Sequence, residues 1–333
     1  MGEHGGGPMK TPARWVIVGG AGFIGGHVVD RLLSDPSTEA VTVYDNFSSG
    51  GEERFARHDH DTRLHVIRAD VKNLDCLTEA LRGRQGVVHL ASNPDIARAM
   101  TEPSVDFAEG TLLTHNVLEA CRVTGVGLLL YASGSGVYGD VGDHEAHEDM
   151  GPLLPVSTYG ASKLAGEAMI CSYGHMFGLR ARAFRFGNVV GPRQTHGVGY
   201  DFVRNLLADP TRLRILGDGL QSKSYLHVAD AVDAMMCAAV QGEELYTVFN
   251  VATGDYSTVQ EIAGIAARGL GLDPADVVYE FTGGDRGWKG DVPVVRLNTQ
   301  RIRSLGWRNT RSSAVAVREA VLAMIPEARE QMG

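Results

Sequence analysis

Short apolar runs alternate along the chain with longer stretches in which apolar residues return every third or fourth position. Trp15–Val18, Ala40–Tyr44, Leu64–Arg68, Gly86–Ala91, Val126–Ala132 and Leu179–Phe186 are of the first kind. Bounded runs of this length predict strands. His27–Ser34, Leu74–Leu81, Val105–Cys121 and Thr158–Phe177 are of the second kind and predict helices. On the first of these, Val28, Val29, Leu32 and Leu33 mark the buried side. Strands alternating with helices favour parallel pairing, because a crossover helix must carry the chain back. The expected fold class is therefore α/β, a doubly wound parallel sheet, which binds ligands beyond the carboxyl ends of its strands.

After Asn188 the rhythm breaks. Gly191-Pro192, Gly197, Gly199 and Asp209-Pro210 punctuate shorter elements. This predicts a smaller lobe that closes over the ligand side of the sheet. Val228–Val240 and Thr247–Val251 read as a return to the sheet, so the two units interleave. The expected boundaries are 12–187 and 226–256 for the sheet domain, 188–225 and 257–333 for the lobe, and a flexible Gly-rich tail at 1–11.

Two patterns carry chemistry. The first is Gly19-Gly20-Ala21-Gly22-Phe23-Ile24-Gly25, which follows the first strand. Its glycines suit a tight turn, close approach of backbone to a pyrophosphate, and close packing of helix on strand. The helix start offers free N–H groups and a positive dipole end to the phosphates. Asp45 closes the second strand, where a carboxylate accepts the hydroxyls of an adenosine ribose and repels a 2′-phosphate. The expected cofactor is NAD. Asn46, Ser48, Ser49 and Gly50 extend that loop, Asp70 and Val71 follow the third strand, and Leu90, Ala91 and Ser92 end the fourth. The second pattern is Tyr159 and Lys163, four apart on one helical face. A free phenol has a pKa of about 10, and a neighbouring ammonium is expected to lower it. The pair then forms a general base for an alcohol, with the lysine also placed to hold the nicotinamide ribose.

Composition narrows the field. The 333 residues carry 31 Lys and Arg against 40 Asp and Glu, a net charge of −9, so a nucleic-acid partner is not expected. No apolar stretch reaches the ~18–20 residues that span a bilayer, so no membrane partner is expected either. Residues 1–14 lack the apolar middle of a signal peptide. Cys76, Cys121, Cys171 and Cys237 form no CxxC pair, which suits reduced thiols and a cytoplasmic location. His58-Asp59-His60 has no third ligand nearby and reads as a solvated loop, so no metal is expected. Apolar stripes at Ala161, Leu164, Ala165, Ala168 and Cys171, and at Leu113, Val117 and Ala120, suit either the core or a helix-bundle dimer interface.

With these residues in view the chain resembles the extended short-chain dehydrogenase/reductase family, and within it the NAD-dependent nucleotide-sugar epimerase/dehydratase branch. GGAGFIG at 19–25, YDNFSSG at 44–50, HLASNP at 89–94, VYGD at 137–140, PVSTYGASKLAGE at 155–167, RFGNVVGPR at 185–193, GDGLQSKSYLHVAD at 217–230 and GDRGWKGDVP at 284–293 carry the likeness. The resemblance implies a Rossmann domain, a nucleotide-diphosphate sugar as substrate, and a homodimer. It implies Tyr159 as catalytic base with Lys163 as its partner, and Phe186 beside the nicotinamide. Asn188 would bond the substrate diphosphate, Gly197, Val198 and Phe202 would line the lobe, and Arg214, Ile215 and Leu216 would flank the nucleobase. Lys223 and Arg286 would clamp the diphosphate, and Asp291 would seat the nucleotide ribose.

One departure matters. The family places Ser or Thr four residues before the VYG tyrosine, to bond the sugar hydroxyl; this chain has Gly134 there. The hydroxyl would come from Ser133 or Ser135, or be absent. Dehydratases and decarboxylases of the family carry carboxylates just before that tyrosine, where this chain has Ser135 and Gly136. The implied activity is thus a 4-epimerase of the UDP-glucose/UDP-galactose type, working through a transient 4-keto sugar. The alternative is an atypical dehydratase or reductase of the same family.

Overall fold

The chain runs β1 (Arg14–Val18), α1 (Phe23–Leu33), β2 (Ala40–Asp45), β3 (Leu64–Arg68), α2 (Leu74–Leu81), β4 (Gly86–His89), α3 (Leu112–Thr124), β5 (Leu128–Gly134), β6 (Glu145–Ala146), α4 (Thr158–Phe177) and β7 (Arg180–Phe186). There follow β8 (Asn188–Val190), α5 (Val198–Ala208), β9 (Arg212–Ile215), β10 (Ser222–Lys223), β11 (Tyr225–His227), α6 (Val228–Ala239), β12 (Tyr246–Val251), β13 (Ser257–Thr258), α7 (Val259–Gly269), β14 (Val278–Phe281), β15 (Arg296–Leu297), α8 (Gln300–Ser304) and α9 (Ser313–Met332). This computed structural model describes residues 11–93, 95–287 and 290–332. Most of the expected tail, Pro94 of the HLASNP segment, and Trp288 and Lys289 of the GDRGWKGDVP segment lie outside the described residues.

Seven strands form one sheet in the order β12-β7-β5-β4-β1-β2-β3, and each neighbouring pair is parallel. The order reverses beside β1, because the chain builds outward through β2 and β3 and then crosses to β4. That reversal opens a crevice at the carboxyl ends of β1 and β4. One face of the sheet packs on α1 and α6 through Val28, Leu32, Ala231 and Met235. The other packs on α2, α3 and α4 through Leu77, Val117, Leu118 and Ile170. A separate cluster joins α5, α7 and α9 through Val203, Ile262, Ala266, Val317 and Val321 and forms a second core, made by residues of the expected smaller lobe. Ile302 and Trp307, late in the chain, pack back on the sheet core, and the Trp307 indole N–H donates to the Asp230 carbonyl at 3.0 Å.

The apolar pattern predicts the seven sheet strands and α1–α4 and α6, mostly to within a few residues, and the differences have local causes. α1 starts at Phe23 rather than His27, because its first turn is built from glycines that carry no periodicity. β4 stops at His89, where the Leu90 and Ala91 N–H groups both turn to the Val18 carbonyl. β5 starts at Leu128 rather than Val126. Gly125, at φ +71°, and Val126 both donate to the Cys121 carbonyl and so belong to the cap of α3. The segment read as one helix from Val105 is π-helical over Phe107–Thr111 before α3 begins.

Candidate active site

Gly19 adopts φ +83°, and a Cβ there would lie 2.6 Å from the Ala91 nitrogen. A Cβ on Gly25 would lie 2.6 Å from the Gly19 carbonyl oxygen, so the helix start is pressed onto the turn. Gly22 differs. It caps α1 with no side-chain hydrogen bond, and a Cβ there would meet nothing nearer than 3.4 Å. The first-turn amides at Phe23 and Ile24 therefore start a helix that no side chain of its own caps. Asp45 Oδ2 accepts the Ala21 N–H at 2.9 Å and Oδ1 accepts the Phe47 N–H at 2.7 Å. The carboxylate thus ties the glycine turn to the loop after β2 and keeps lone pairs for further donors. That loop lies against the turn, since a Cβ on Gly50 would collide with the Ala21 carbonyl. Asn46, Ser48 and Ser49 are exposed along it, and Asn46 Nδ2 reaches Asp70 Oδ2 at 3.3 Å. Val71 is buried, while Leu90, Ala91 and Ser92 are half-buried beyond β4. An uncapped helix start, an unobstructed glycine and a strand-end carboxylate along one crevice fit a dinucleotide. Phe186 closes β7 with its ring in the sheet core, stacked on Phe184.

Ser157 caps α4 by accepting the Gly160 N–H, which aligns Tyr159 and Lys163 one turn apart. Lys163 is 4% exposed; its Nζ donates to the Ala132 carbonyl at 2.9 Å and lies 5.5 Å from the centre of the Tyr159 ring. The Ser92 side chain lies beside the Tyr159 phenol. Here the expectation of an acidified phenol is overturned. Burial, reinforced by the Asp106 charge and opposed by the nearby Ser92 side chain, pushes the Tyr159 phenol up to about 12. Burial pulls Lys163 down to about 8, against the charges of Asp106 and Glu167. Within the chain's own field, desolvation of the phenolate outweighs an ammonium whose hydrogen bond is directed elsewhere.

Gly134 ends β5 in an extended conformation, and a Cβ there would meet nothing within 4 Å. Ser133 does not supply the missing hydroxyl: it donates to Glu167 Oε1 at 2.5 Å, on the buried side. Glu167 also pairs with Arg185 at 2.6 Å, both side chains being 4% exposed, and Arg185 donates to the Tyr138 hydroxyl at 2.9 Å. Ser135 instead lines a small cavity with Gly187, Asn188, Lys223 and Ser224.

The expected substrate residues divide. Asn188 is exposed on β8, and its side chain lies beside the Tyr225 hydroxyl. Lys223 Nζ pairs with Asp291 Oδ1 at 2.5 Å. Arg286 donates to the Asp291 carbonyl at 2.9 Å and to Asp140 Oδ2 at 2.6 Å. Lys223, Asp291 and Arg286 thus form a chain of contacts that ends on Asp140 of the VYGD segment. Gly197 is exposed at φ +97° ahead of α5, and Val198 is half-buried. Phe202 and Ile215 do not line the site; both are buried in the lobe core. Arg214 and Leu216 flank Ile215 on the exposed face of the β9 alternation. The sequence reading missed Asp106, Asp140 and Arg185, whose contacts with Asn93 and Thr158, with Arg286, and with Glu167 and Tyr138 are distant in sequence. Glu167 had a signal, since it stands one turn beyond Lys163. A cavity of 770 Å³ lies apart from this chemistry, between α4, β12 and α8, and Tyr159 does not line it.

Known proteins resemble this chain in sequence and fold. A UDP-glucose 4-epimerase of Mycolicibacterium smegmatis is 32% identical over 305 residues, covering 89% of this chain and 93% of that protein. A crystal structure of a UDP-galactose 4-epimerase superposes with a TM-score of 0.83 at 38% identity, over 94% of this chain and 99% of that one. A dTDP-glucose 4,6-dehydratase from Streptomyces venezuelae, solved with NAD and TYD bound, superposes with a TM-score of 0.86 at 29% identity, over 96% and 98%. The family description "NAD dependent epimerase/dehydratase family" matches residues 15–252, which hold the glycine turn, Asp45 and the Tyr159–Lys163 couple, and the chain belongs to that family.

Proposed function

We propose that the protein is a nucleotide-sugar 4-epimerase of the UDP-glucose/UDP-galactose type. The observation that carries this reading is the segment before Tyr138. Gly134, Ser135 and Gly136 offer no carboxylate to eliminate water, while Tyr159 and Lys163 remain in register to move a proton. NAD, when bound, supplies reversible oxidation of the carbinol carbon. Gly19, Gly22, Phe23, Ile24, Gly25 and Asp45 would hold it, with the Asp45 loop and Ser92 alongside. Tyr159 takes the proton of the C4 hydroxyl and later returns it. Lys163 stabilises the phenolate that forms between those steps. Ser135 bonds the sugar in place of the hydroxyl that Gly134 lacks. Lys223 and Arg286 neutralise the diphosphate, and Asn188 and Asp291 orient it and the nucleotide ribose. The 4-keto sugar turns about its diphosphate link between the two proton transfers.

The same reading takes the sheet domain as 12–187 and 226–256 and the lobe as 188–225 and 257–333. It takes the protein as a cytoplasmic homodimer, with Phe107, Val123 and Met176, exposed before, on and at the end of the α3–α4 pair, as apolar contact surface. A second reading, an atypical reductase or dehydratase, draws on the high pKa of Tyr159, which suits a proton donor to a ketone. The test is to incubate the purified protein and NAD with UDP-glucose or UDP-galactose and follow products by chromatography and mass. Interconversion at unchanged mass is expected. Loss of water, net loss of two hydrogens to NAD, or no change in either sugar overturns the proposal.

A further inference from the structure

Under the start of α4 lies a carboxylate that the proposed mechanism does not use. Asp106 is 2% exposed and immediately precedes the π-helical stretch Phe107–Thr111. Its Oδ1 accepts Asn93 Nδ2 at 2.9 Å, and its Oδ2 accepts the Thr158 hydroxyl at 2.7 Å. Both partners are neutral, and among the described residues Asp106 takes part in no ion pair. A carboxylate removed from water on neutral partners alone is costly to keep.

Its partners explain the placement. Asn93 follows Ser92, and Thr158 precedes Tyr159, and the Ser92 side chain lies beside the Tyr159 phenol. One carboxylate therefore grips the chain neighbours of both members of that contact. One turn further on, a Cβ at Gly110 would lie 2.1 Å from the Ser162 hydroxyl, so the π-helical stretch is pressed onto α4 between Tyr159 and Lys163.

We propose that Asp106 is a positioning residue for proton transfer: through Asn93 and Thr158 it ties the segment carrying Ser92 to the start of α4 and so sets the Tyr159 phenol beside Ser92. The charge acts on both members of the couple, resisting ionisation of the phenol and favouring the ammonium. The other groups facing Lys163 are Glu167 and Tyr159 on α4, Tyr131 on β5 and His89 on β4. Burial holds the His89 imidazole down at about 3 and pushes the Tyr131 phenol up, so both stay neutral near pH 7. The charges that oppose the burial of Lys163 are those of Asp106 and Glu167.

The inference rests on the reading of Tyr159 and Lys163 as the proton-transfer couple, and the two fail separately. The chain has five lysines, so carbon-13 lysine labelling lets Lys163 be followed by NMR and assigned by its loss in Lys163→Met. In Asp106→Asn the Lys163 titration midpoint is expected to fall by about half a pH unit or more, and in Asp106→Glu to stay near that of the parent. Should Asp106→Asn not fold, Asp106→Ser tests the same fall. Thr158→Val, at an exposed position, keeps the charge and removes one grip. It is expected to lower kcat about tenfold or more at similar KM, with the Lys163 midpoint unmoved. An unchanged midpoint in the neutral variants, or an unchanged kcat in Thr158→Val, overturns the inference. Full activity in Tyr159→Phe overturns the underlying reading instead.

Discussion

The ammonium of Lys163 stands 2.9 Å from the carbonyl oxygen of Ala132, two residues before the end of β5. The bond joins α4 to the strand that leads into Gly134, so one side chain touches both the Tyr159 ring and the end of β5. It also places a cation where water is excluded, and the first prediction follows from that cost.

Between about 8 and 10.5 the unfolded chain binds the Lys163 proton and the folded chain largely does not. Folding stability from this group therefore rises with pH across that window, and below it the buried ammonium is a steady penalty. Lys163→Met should be more stable than the parent at pH 7, by roughly 1–3 kcal/mol. The gain should shrink toward zero as pH approaches 10.5, while the proposed epimerase turnover is lost. Denaturant melts at pH 7 and pH 10 check this, and a variant less stable at both values contradicts it.

The glycines of the turn should separate into two kinds. Gly25→Ala drives a methyl to 2.6 Å from the backbone of Gly19 and Gly20, so the turn must open, at a cost of roughly 1–3 kcal/mol. Gly22→Ala has ordinary clearance and a φ of −77°, so the chain should fold with a melting temperature near that of the parent. Its methyl would still stand at the uncapped helix start, in the path of a pyrophosphate. NAD affinity measured by calorimetry should fall at least about tenfold in Gly22→Ala. Parent-like affinity there would mean that the phosphates do not sit on α1.

Gly134 should accept a hydroxyl. Its backbone is extended and the space around a Cβ is open, so Gly134→Ser should match or exceed the parent in stability, by up to about 1 kcal/mol. If Ser135 already bonds the sugar, Gly134→Ser should change kcat less than about tenfold. Ser135→Ala in the parent should then lower kcat by about tenfold or more, and the double variant should recover part of the loss. Steady-state rates of the four proteins decide between Ser135 and no hydroxyl at all.

The alternation of apolar runs made the sheet legible, because buried parallel strands leave continuous hydrophobic segments. Gly19–Gly25 and Asp45 were legible for a related reason: their chemistry is local, a few residues around one turn. What lay hidden depends on partners distant in the chain. Phe202 and Ile215 face the lobe core rather than the cleft, and only the packing of α5 and β9 on α7 and α9 decides that. Ser133 and Ser135 are indistinguishable as letters, yet one meets Glu167 and the other meets Asn188 and Lys223 across a cavity. The direction of the Tyr159 shift was misjudged because a helical spacing shows an ammonium one turn away but not the loss of water around the phenol.

Glu167 is where stability and the site are coupled most directly. Its carboxylate accepts from Ser133 and from two nitrogens of Arg185, and Arg185 in turn holds Tyr138, whose hydroxyl donates to Asn250 Oδ1 at 2.7 Å. Glu167→Leu would leave the Arg185 guanidinium buried without its counter-ion and Ser133 without its acceptor, costing roughly 3–5 kcal/mol. Removing both charges avoids the stranded cation, so Glu167→Leu with Arg185→Met should be much less destabilised than Glu167→Leu alone, within about 2 kcal/mol of the parent. The activities should not follow the same order. Ser133 flanks Gly134, and Tyr138 closes the turn that presents Ser135, so the double variant regains stability without regaining the hold on either end of that segment. Chemical denaturation together with kcat separates the cases: a double variant that recovers both stability and turnover would show that the buried pair serves packing alone.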